Sequence, residues 1–377
     1  MDNIAGTRAR LVWAVNLSVL ALVLLWTIPT FGLLISSFRD RDQIATSGWW
    51  TALSASERNI MVRSARPNSA TEQGGVFVLS GNVFGEGVGE VTAFGINSKR
   101  PTEFAPSETA MRKKAAITVR ADGFYQISSD VPMKGKRGIR LFVTVVEPPK
   151  FTLDNYETVL FSEGIGQSFL NTMTVTIPAT VIPILIAAFA AYALAWMEFP
   201  GRALLIAAIV GLLVVPLQMA LIPLLKLHNS IGIGKAYLGI WFAHTGFGLP
   251  LAIYLLRNYI AGLPREIIES AKVDGATDFQ VFLKIVLPLS FPALASFAIF
   301  QFLWVWNDLL VATVFLGNNE EQLVMTGRLR ELLGSRGGDW EILAASAFVS
   351  IAVPLVVFFT MQKYLVRGLL AGSVKGG

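Results

Sequence analysis

The chain has 377 residues, 53% of them hydrophobic and only 15% charged, with a mean hydropathy of +0.57, which excludes an ordinary soluble domain. A net charge of +5 and a pI near 9.4 would suit a nucleic-acid partner, but lysine and arginine flanking membrane spans give the same balance without one. There is no cysteine, so disulfides and thiolate metal sites are ruled out and the redox compartment stays open.

Residues 11–38, 164–197, 203–225, 236–256, 285–307 and 342–362 carry no Asp, Glu, Lys or Arg. About 20 apolar residues cross a bilayer as a helix, so each run is long enough and six spans are expected. The first run is too long for a signal-peptide core and has no small-residue cleavage site after it, which makes it an uncleaved first helix. An even number of spans puts both termini on one side. That side collects Arg8, Arg10, Arg202, Arg257, Arg265, Lys272, Lys284, Lys363, Arg367 and Lys375, against Lys226, Lys235, Arg328, Arg330 and Arg336 in the short loops opposite. The excess of basic residues marks the cytoplasmic side. The expected layout is a cytoplasmic N-terminus and first helix over 1–39, an extracytoplasmic segment over 40–150, and a membrane core over 151–377.

In the 40–150 segment GVFVLSGNVF, EVTAFGIN, AAITVRADGFYQISS and IRLFVTVVEPP read as strands, rich in β-branched and aromatic residues and parted by turn residues. Ile117, Val119 and Ala121, and likewise Ile139, Leu141, Val143 and Val145, recur every second residue, as in strands with one buried face. A small antiparallel β domain follows. Its first thirty residues, with Trp49 and Trp50, fit equally well along the bilayer interface. The cluster Gly85, Gly87, Gly89 opens no helix and has no lysine after it, so it is a strand-connecting turn rather than a phosphate loop. No G-x-x-x-x-G-K-[ST] string occurs anywhere, so the chain shows no ATP site of its own.

Beyond Pro148-Pro149 the segment up to Thr172 is an amphipathic approach to the second span. Prolines in or beside the apolar runs are tolerated where neighbouring helices and waters satisfy the freed carbonyls. No internal repeat supports the inverted architecture of secondary transporters.

The loop at about 258–288 is unusually rich in local signals. Pro264 suits the first turn of a helix, and Glu266 and Glu269 meet the positive end of its dipole. Asp274-Gly275 is a natural stop, since glycine takes the left-handed cap conformation cheaply. Thr277 and Gln280 spell a capping box for a second helix, on which Phe279, Phe282, Leu283 and Val286 share a face. A bent pair of short helices is expected, with Pro288 beginning the return to the membrane. Its apolar face needs a cover, either the bilayer surface or another protein.

The string ESAKVDGATDFQVFLKIVLP at 269–288 keeps Glu269, Ala271, Asp274, Gly275, Ala276, Phe282, Ile285, Leu287 and Pro288 in the spacing E-A-A, three residues, G, nine residues, I-x-L-P; Ser270 replaces the first alanine and is small enough for close docking. This resembles the EAA loop, the cytoplasmic signature of permease subunits in bacterial ATP-driven, binding-protein-dependent importers. FLNTMTV at 169–175, AYALAWMEFPGR at 191–202, FLWVWNDLL at 302–310 and QKYLVRGLLAGSVKG at 362–376 are similar to its carbohydrate-uptake, maltose-type branch. The long insert resembles that of alpha-glucoside permeases, as a docking element for a binding protein or as a passive decoration.

The resemblance implies an all-α polytopic membrane protein of six transmembrane helices, with a type I ABC importer permease fold and an extracytoplasmic β-rich insert. It implies a multi-pass protein of the bacterial inner membrane with both termini cytoplasmic, and no catalysis or cofactor of its own, because a partner ATPase uses the ATP and Mg. The implied partners are a homologous second permease, two ATPase copies, a periplasmic sugar-binding protein and the lipid bilayer, with no nucleic acid. Ser270 and the EAA residues named above would couple to the ATPase, with Glu269 as polar anchor and Gly275 as the tight bend. Gly372, Val374, Lys375 and Gly376 in the tail would touch it too. The implied cargo is an oligosaccharide such as an alpha-glucoside.

Asp308 is an acid within an apolar stretch. It, Trp306 and Asn307 can line a sugar route, or Asp308 can be a helix-end packing residue near the external interface. Asn171, Tyr192 and Gln218 are weaker pathway candidates. His228 and His244 have no carboxylate or second histidine at metal spacing, so no metal site is expected, and no nucleophile–base pair is visible. An ion-coupled transporter would want more charge within the spans. A membrane-anchored sensor would want fewer spans and a signalling module. An importer of another solute, such as glycerol phosphate, would keep the same coupling loop.

Overall fold

The computed structural model describes residues 3–85 and 88–371 and divides into two compact units, Met1–Asn155 with Asp339–Ala344, and Tyr156–Gly338 with Ala345–Gly377.

The first unit opens with α1 (Asn3–Ser37), whose apolar residues 11–29 are bare of protein cover, a surface suited to lipid or another subunit, while its last turns from Gly32 on are partly or wholly covered. The polar residues after it fix the turn-off. Arg39 is buried, and its guanidinium donates to the carbonyls of Gln43 (2.9 Å) and Ser47 (3.0 Å) and to Ser47 Oγ (2.6 Å), holding α2 (Arg41–Thr46) in place. Asn155 donates to the carbonyls of Ser37 (3.0 Å) and Arg39 (2.9 Å), and Gln43 bonds both Pro148 O and Lys150 N. The two ends of the insert are thereby stapled together.

Between them lie β1 (Ser56–Arg63), β2 (Thr71–Gln73), β3 (Val76–Asn82), β4 (Glu90–Gly95), β5 (Thr109–Arg112), β6 (Ala115–Val119), β7 (Phe124–Ser129) and β8 (Arg140–Glu147). They form two antiparallel sheets, β1-β8-β4 and β2-β3-β7-β6-β5. Most of the alternating residues face inward: Ile117, Val119, Leu141, Val143 and Val145 are fully buried with Val91, Phe94 and Ile127 in one core fed by both sheets. Ile139 is half-buried just before β8, and Ala121 is exposed, because β6 ends at Val119 and the chain has already turned. Three strands lie outside the segments read from sequence: β1, β5 and the short β2, which pairs with β3. β1 occupies part of the stretch offered to the bilayer interface, because Ile60 and Val62 pack inward once the whole strand is paired with β8. β5 closes a hairpin with β6 whose tip is Lys113, at φ +57°. Arg58 is anchored between Asp42 (2.7 Å) and Glu147 (2.9 Å); burial works against its charge, but the two carboxylates outweigh it and raise the guanidinium above the usual arginine range.

The second unit is helical: α3 (Ile165–Trp196), α4 (Arg202–Leu212), α5 (Leu217–Ser230), α6 (Tyr237–Ile260), α7 (Arg265–Val273), α8 (Asp278–Val281), α9 (Phe291–Trp306), α10 (Leu310–Phe315), α11 (Met325–Ser335) and α12 (Trp340–Ala371), the last beginning in the first unit. α3 packs along α6, and α9 crosses them. Arg202 donates to the carbonyls of Leu194 (3.0 Å), Ala195 (3.1 Å) and Met197 (3.2 Å), satisfying the open end of α3. Among the described residues four helices are long and apolar enough to cross a membrane, and two bent pairs bring the number to six if each is one span. The run 203–225 is one such pair, α4 and α5 at 107°, rather than one straight helix. Pro216 stands at the break, where it has no N–H to extend the preceding ladder. The run 285–307 is the other: the elbow segment Asp278–Leu289 meets α9 at 70°.

Candidate functional site

The loop at 258–288 folds into two short helices joined by a tight bend. Pro264 sits at the cap position just before α7, one residue outside the first turn where its sequence suggested it. The helix ends in a Schellman arrangement: Gly275 N–H donates to Lys272 O (3.0 Å) and Ala276 N–H to Ala271 O (3.0 Å), with Gly275 at φ +85°. The capping box follows as spelled, Thr277 Oγ1 accepting from Gln280 N (3.3 Å) and Gln280 Oε1 from Thr277 N (2.9 Å).

The face of the second helix is not the one its periodicity gave. Val281, Phe282 and Val286 are buried, whereas Phe279 and Leu283 are exposed. Residues 282–286 form a π turn, whose extra residue rotates everything after Phe282 relative to a regular helix. Phe282 therefore enters a cluster with Phe189 (ring centroids 4.6 Å apart) and Tyr192 (5.5 Å) of α3. Ile268 is buried beside it, with Ala271, Ala276 and Leu287 packed around. A polar tie reinforces the apolar one: Asp278 Oδ1 accepts from Lys272 Nζ (3.0 Å) and from Tyr192 OH (3.0 Å). The elbow is thus fastened to α3, α6 and α9 along its inner side.

Its outer side is open. Ile267, Glu269, Ser270, Val273, Asp274, Gly275, Phe279, Leu283 and Pro288 are all exposed, Val273 by 87%, and Ile285 is half-buried. An apolar strip flanked by Glu269 and Asp274 thus lies exposed on a helix pair that is locked on its other side to long apolar helices.

Residues 166–370 match the family profile described as "Binding-protein-dependent transport system inner membrane component", more than half of the chain. The chain belongs to that family. Among curated relatives, the alpha-glucoside transport system permease protein AglG of Rhizobium meliloti (strain 1021) is 68% identical over 98% of this chain and 99% of its own length. The osmoprotective compounds uptake permease protein GgtD of Synechocystis sp. (strain ATCC 27184 / PCC 6803 / Kazusa) is 42% identical over 96% of this chain and 91% of its own. A crystal structure of a bacterial ABC transporter for the acidic polysaccharide alginate covers 58% of this chain and 81% of the solved one, at 24% identity and a TM-score of 0.49. As a member of the family matched above, this permease has a type I importer fold, mostly helical with several apolar helices, and is a non-catalytic subunit whose energy comes from a partner ATPase.

The permease does not gather its six pathway candidates around one space. Asn171 is buried and bonded on every side: it donates to Glu321 O (2.9 Å) and Leu323 O (3.0 Å) and accepts from Gln167 (3.0 Å) and Tyr237 OH (3.0 Å). Tyr192 belongs to the elbow. Gln218 is exposed at the start of α5. Trp306 is enclosed, its indole N–H on Ser350 O (2.9 Å) and its ring against Phe169 and Phe302. Asn307 is exposed, with its amide on Leu303 O. Asp308 accepts from Val311 N (3.3 Å) and Ala312 N (2.9 Å), so at this helix end it hydrogen-bonds the first turn of α10 as well as packing there. Asn171→Leu is expected to cost about 1–3 kcal/mol by orphaning the carbonyls and the tyrosine hydroxyl it serves, seen as a lower unfolding temperature of the purified permease.

Two features were beyond reach of the sequence. His244, wholly buried, lies 3.8 Å from Asp308, so a carboxylate does approach it, supplied from another helix break. A cavity of about 510 Å³ lies at the α4–α5 break against α6 and α9, lined by Phe247, Phe300, Gln301 and Trp304 among others. Trp304 stands two residues before the tryptophan singled out from sequence. No group of three or more potential metal ligands occurs among the described residues. Tail residues Gly372, Val374, Lys375 and Gly376 lie outside them.

Proposed function

We propose that this permease passes an alpha-glucoside across the bacterial inner membrane, within an importer that also holds a homologous permease, two ATPase copies using ATP and Mg, and an extracytoplasmic binding protein. It crosses the membrane six times, counting each bent pair as one span, with both termini in the cytoplasm and the β insert outside. The 68% identity to an alpha-glucoside permease over nearly its full length supports the cargo. The ATPase docks on the elbow through Glu269, Ser270, Val273, Asp274, Gly275 and Phe279, while Ala271, Ala276, Phe282, Ile285, Leu287 and Pro288 shape the elbow and pass its displacement to the spans; the tail residues Gly372, Val374, Lys375 and Gly376 add a second contact. Closure of the ATPase pair then rocks the helices between inward- and outward-open states, a population shift driven by nucleotide-dependent contacts. The sugar route runs past Trp304, whose ring offers a stacking surface in a largely apolar cavity.

The observation that carries this reading is the elbow with its inner side fastened and its outer side bare. The absence of native cysteine makes its test clean. Val273→Cys is expected to crosslink to a single-cysteine ATPase subunit in the assembled complex, in a nucleotide-dependent yield. Labelling of the introduced thiol by a reactive lipid, with no ATPase adduct, would instead put the elbow on the bilayer surface.

A further inference from the structure

The β insert carries a cleft of about 630 Å³ whose charged lining residues are all positive. Arg63 and Arg140 come from the paired ends of β1 and β8, Arg112, Lys113 and Lys114 from the β5–β6 hairpin, and Lys134 and Arg137 from the loop before β8. No aspartate or glutamate lines it, and none of these cations has an acidic partner among the described residues. Like charges gathered without counterions repel, so the fold gains nothing from this arrangement. The hairpin tip sharpens the point. Such turns favour Asn or Gly where φ is positive, yet Lys113 holds φ +57° with a second lysine beside it.

The position of the cleft selects its partner. β1 and β8 pair from Ser56↔Glu147, near the stapled base of the insert, to Arg63↔Arg140 at the cleft. Seven residue steps at about 3.4 Å each put roughly 24 Å between them. A Debye length is about 8 Å at physiological salt, so headgroups level with that base would lie beyond the reach of these charges. The seven side chains are all exposed and spread over four segments. They do not converge on a desolvated point, as a small anion would require, but present a broad field suited to an extended acidic surface.

We propose that this cleft is the landing site for an acidic face of the soluble binding protein, setting its rate of encounter with the permease. The inference rests on the importer reading above and adds the surface and its chemistry. Charge complementarity of this kind raises association rates about 10- to 1000-fold and weakens with salt.

The test uses the whole importer in nanodiscs with its purified, sugar-loaded binding protein. R112E/K114E/R137E is expected to slow association about ten-fold or more at low salt and to flatten its salt dependence, leaving the dissociation rate and basal ATPase activity near wild type. The charge-preserving R112K/R137K and the control Lys99→Glu, outside the cleft, should keep the wild-type rate. An unchanged association rate and salt slope in the triple variant would overturn the inference, as would loss of dextran sulfate binding alone, which would mark a site for anionic polymers. A wild-type complex whose ATPase the binding protein never stimulates would sink the importer reading itself.

Discussion

Gly275→Asp is expected to leave the permease folded and inserted while reducing sugar uptake about a hundred-fold or more. The two halves of that expectation have separate causes. Gly275 sits at φ +85°, where most side chains are strained by about 1–2 kcal/mol, but Asp and Asn visit this region more readily than other residues. A Cβ there would meet nothing within 4 Å, so no clash is added. The elbow should therefore keep its bend. What changes is the outer surface, where a new carboxylate joins Asp274 at the negative end of α7. Burying that charge unpaired under an ATPase costs several kcal/mol, and every 1.4 kcal/mol is a factor of ten in binding. Gly275→Asn separates the two causes, since it takes the same backbone without the charge and should transport at close to the wild-type rate. Uptake in proteoliposomes, beside membrane insertion and ATPase activity, decides it. Normal uptake by Gly275→Asp would remove this bend from the docking surface.

The elbow is the most legible part of the chain because its signals are local. A glycine stop and a Thr–Gln capping box are settled by hydrogen bonds within a few residues, whatever surrounds them. The face it buries is less legible, because the π turn at 282–286 is a compromise between the helix and the rings of Phe189 and Tyr192, which lie far away in sequence. β1 is hidden for a similar reason. SERNIMVR has two charged residues and an asparagine ahead of its first apolar side chain and becomes a strand only through pairing with β8. α9 is apolar nearly all round, so no periodicity reveals that Trp304 reaches a cavity while Trp306 is sealed among aromatic neighbours. The charge-free runs mark where the apolar helices lie but not where they break, since Pro183 and Pro216 both lie within such runs and only the second stands at a break between helices.

Phe282→Ala is expected to detach the elbow from the helices, and to do so by the opposite route from a docking mutation. Phe282 is 3% exposed, wedged between Phe189 and Tyr192 with Val281 and Val286 sealed beside it. Truncating a buried phenylalanine costs about 3–5 kcal/mol, part of it from the cavity left behind. The remaining fastening, the Tyr192–Asp278–Lys272 chain, is half-exposed and worth about 0.5–1.5 kcal/mol per hydrogen bond, too little to hold the elbow alone. The variant should unfold at lower temperature, still bind the ATPase, and hydrolyse ATP without moving sugar, because displacement at the elbow no longer reaches α3. Phe282→Leu keeps most of the volume and should recover much of the transport. Phe279→Ala supplies the contrast: its ring is 60% exposed, so the unfolding temperature should hold while ATPase binding weakens. If Phe282→Ala unfolded and transported like wild type, the elbow's grip on the bundle would have to lie elsewhere, and the inner cluster would be packing without a part in coupling.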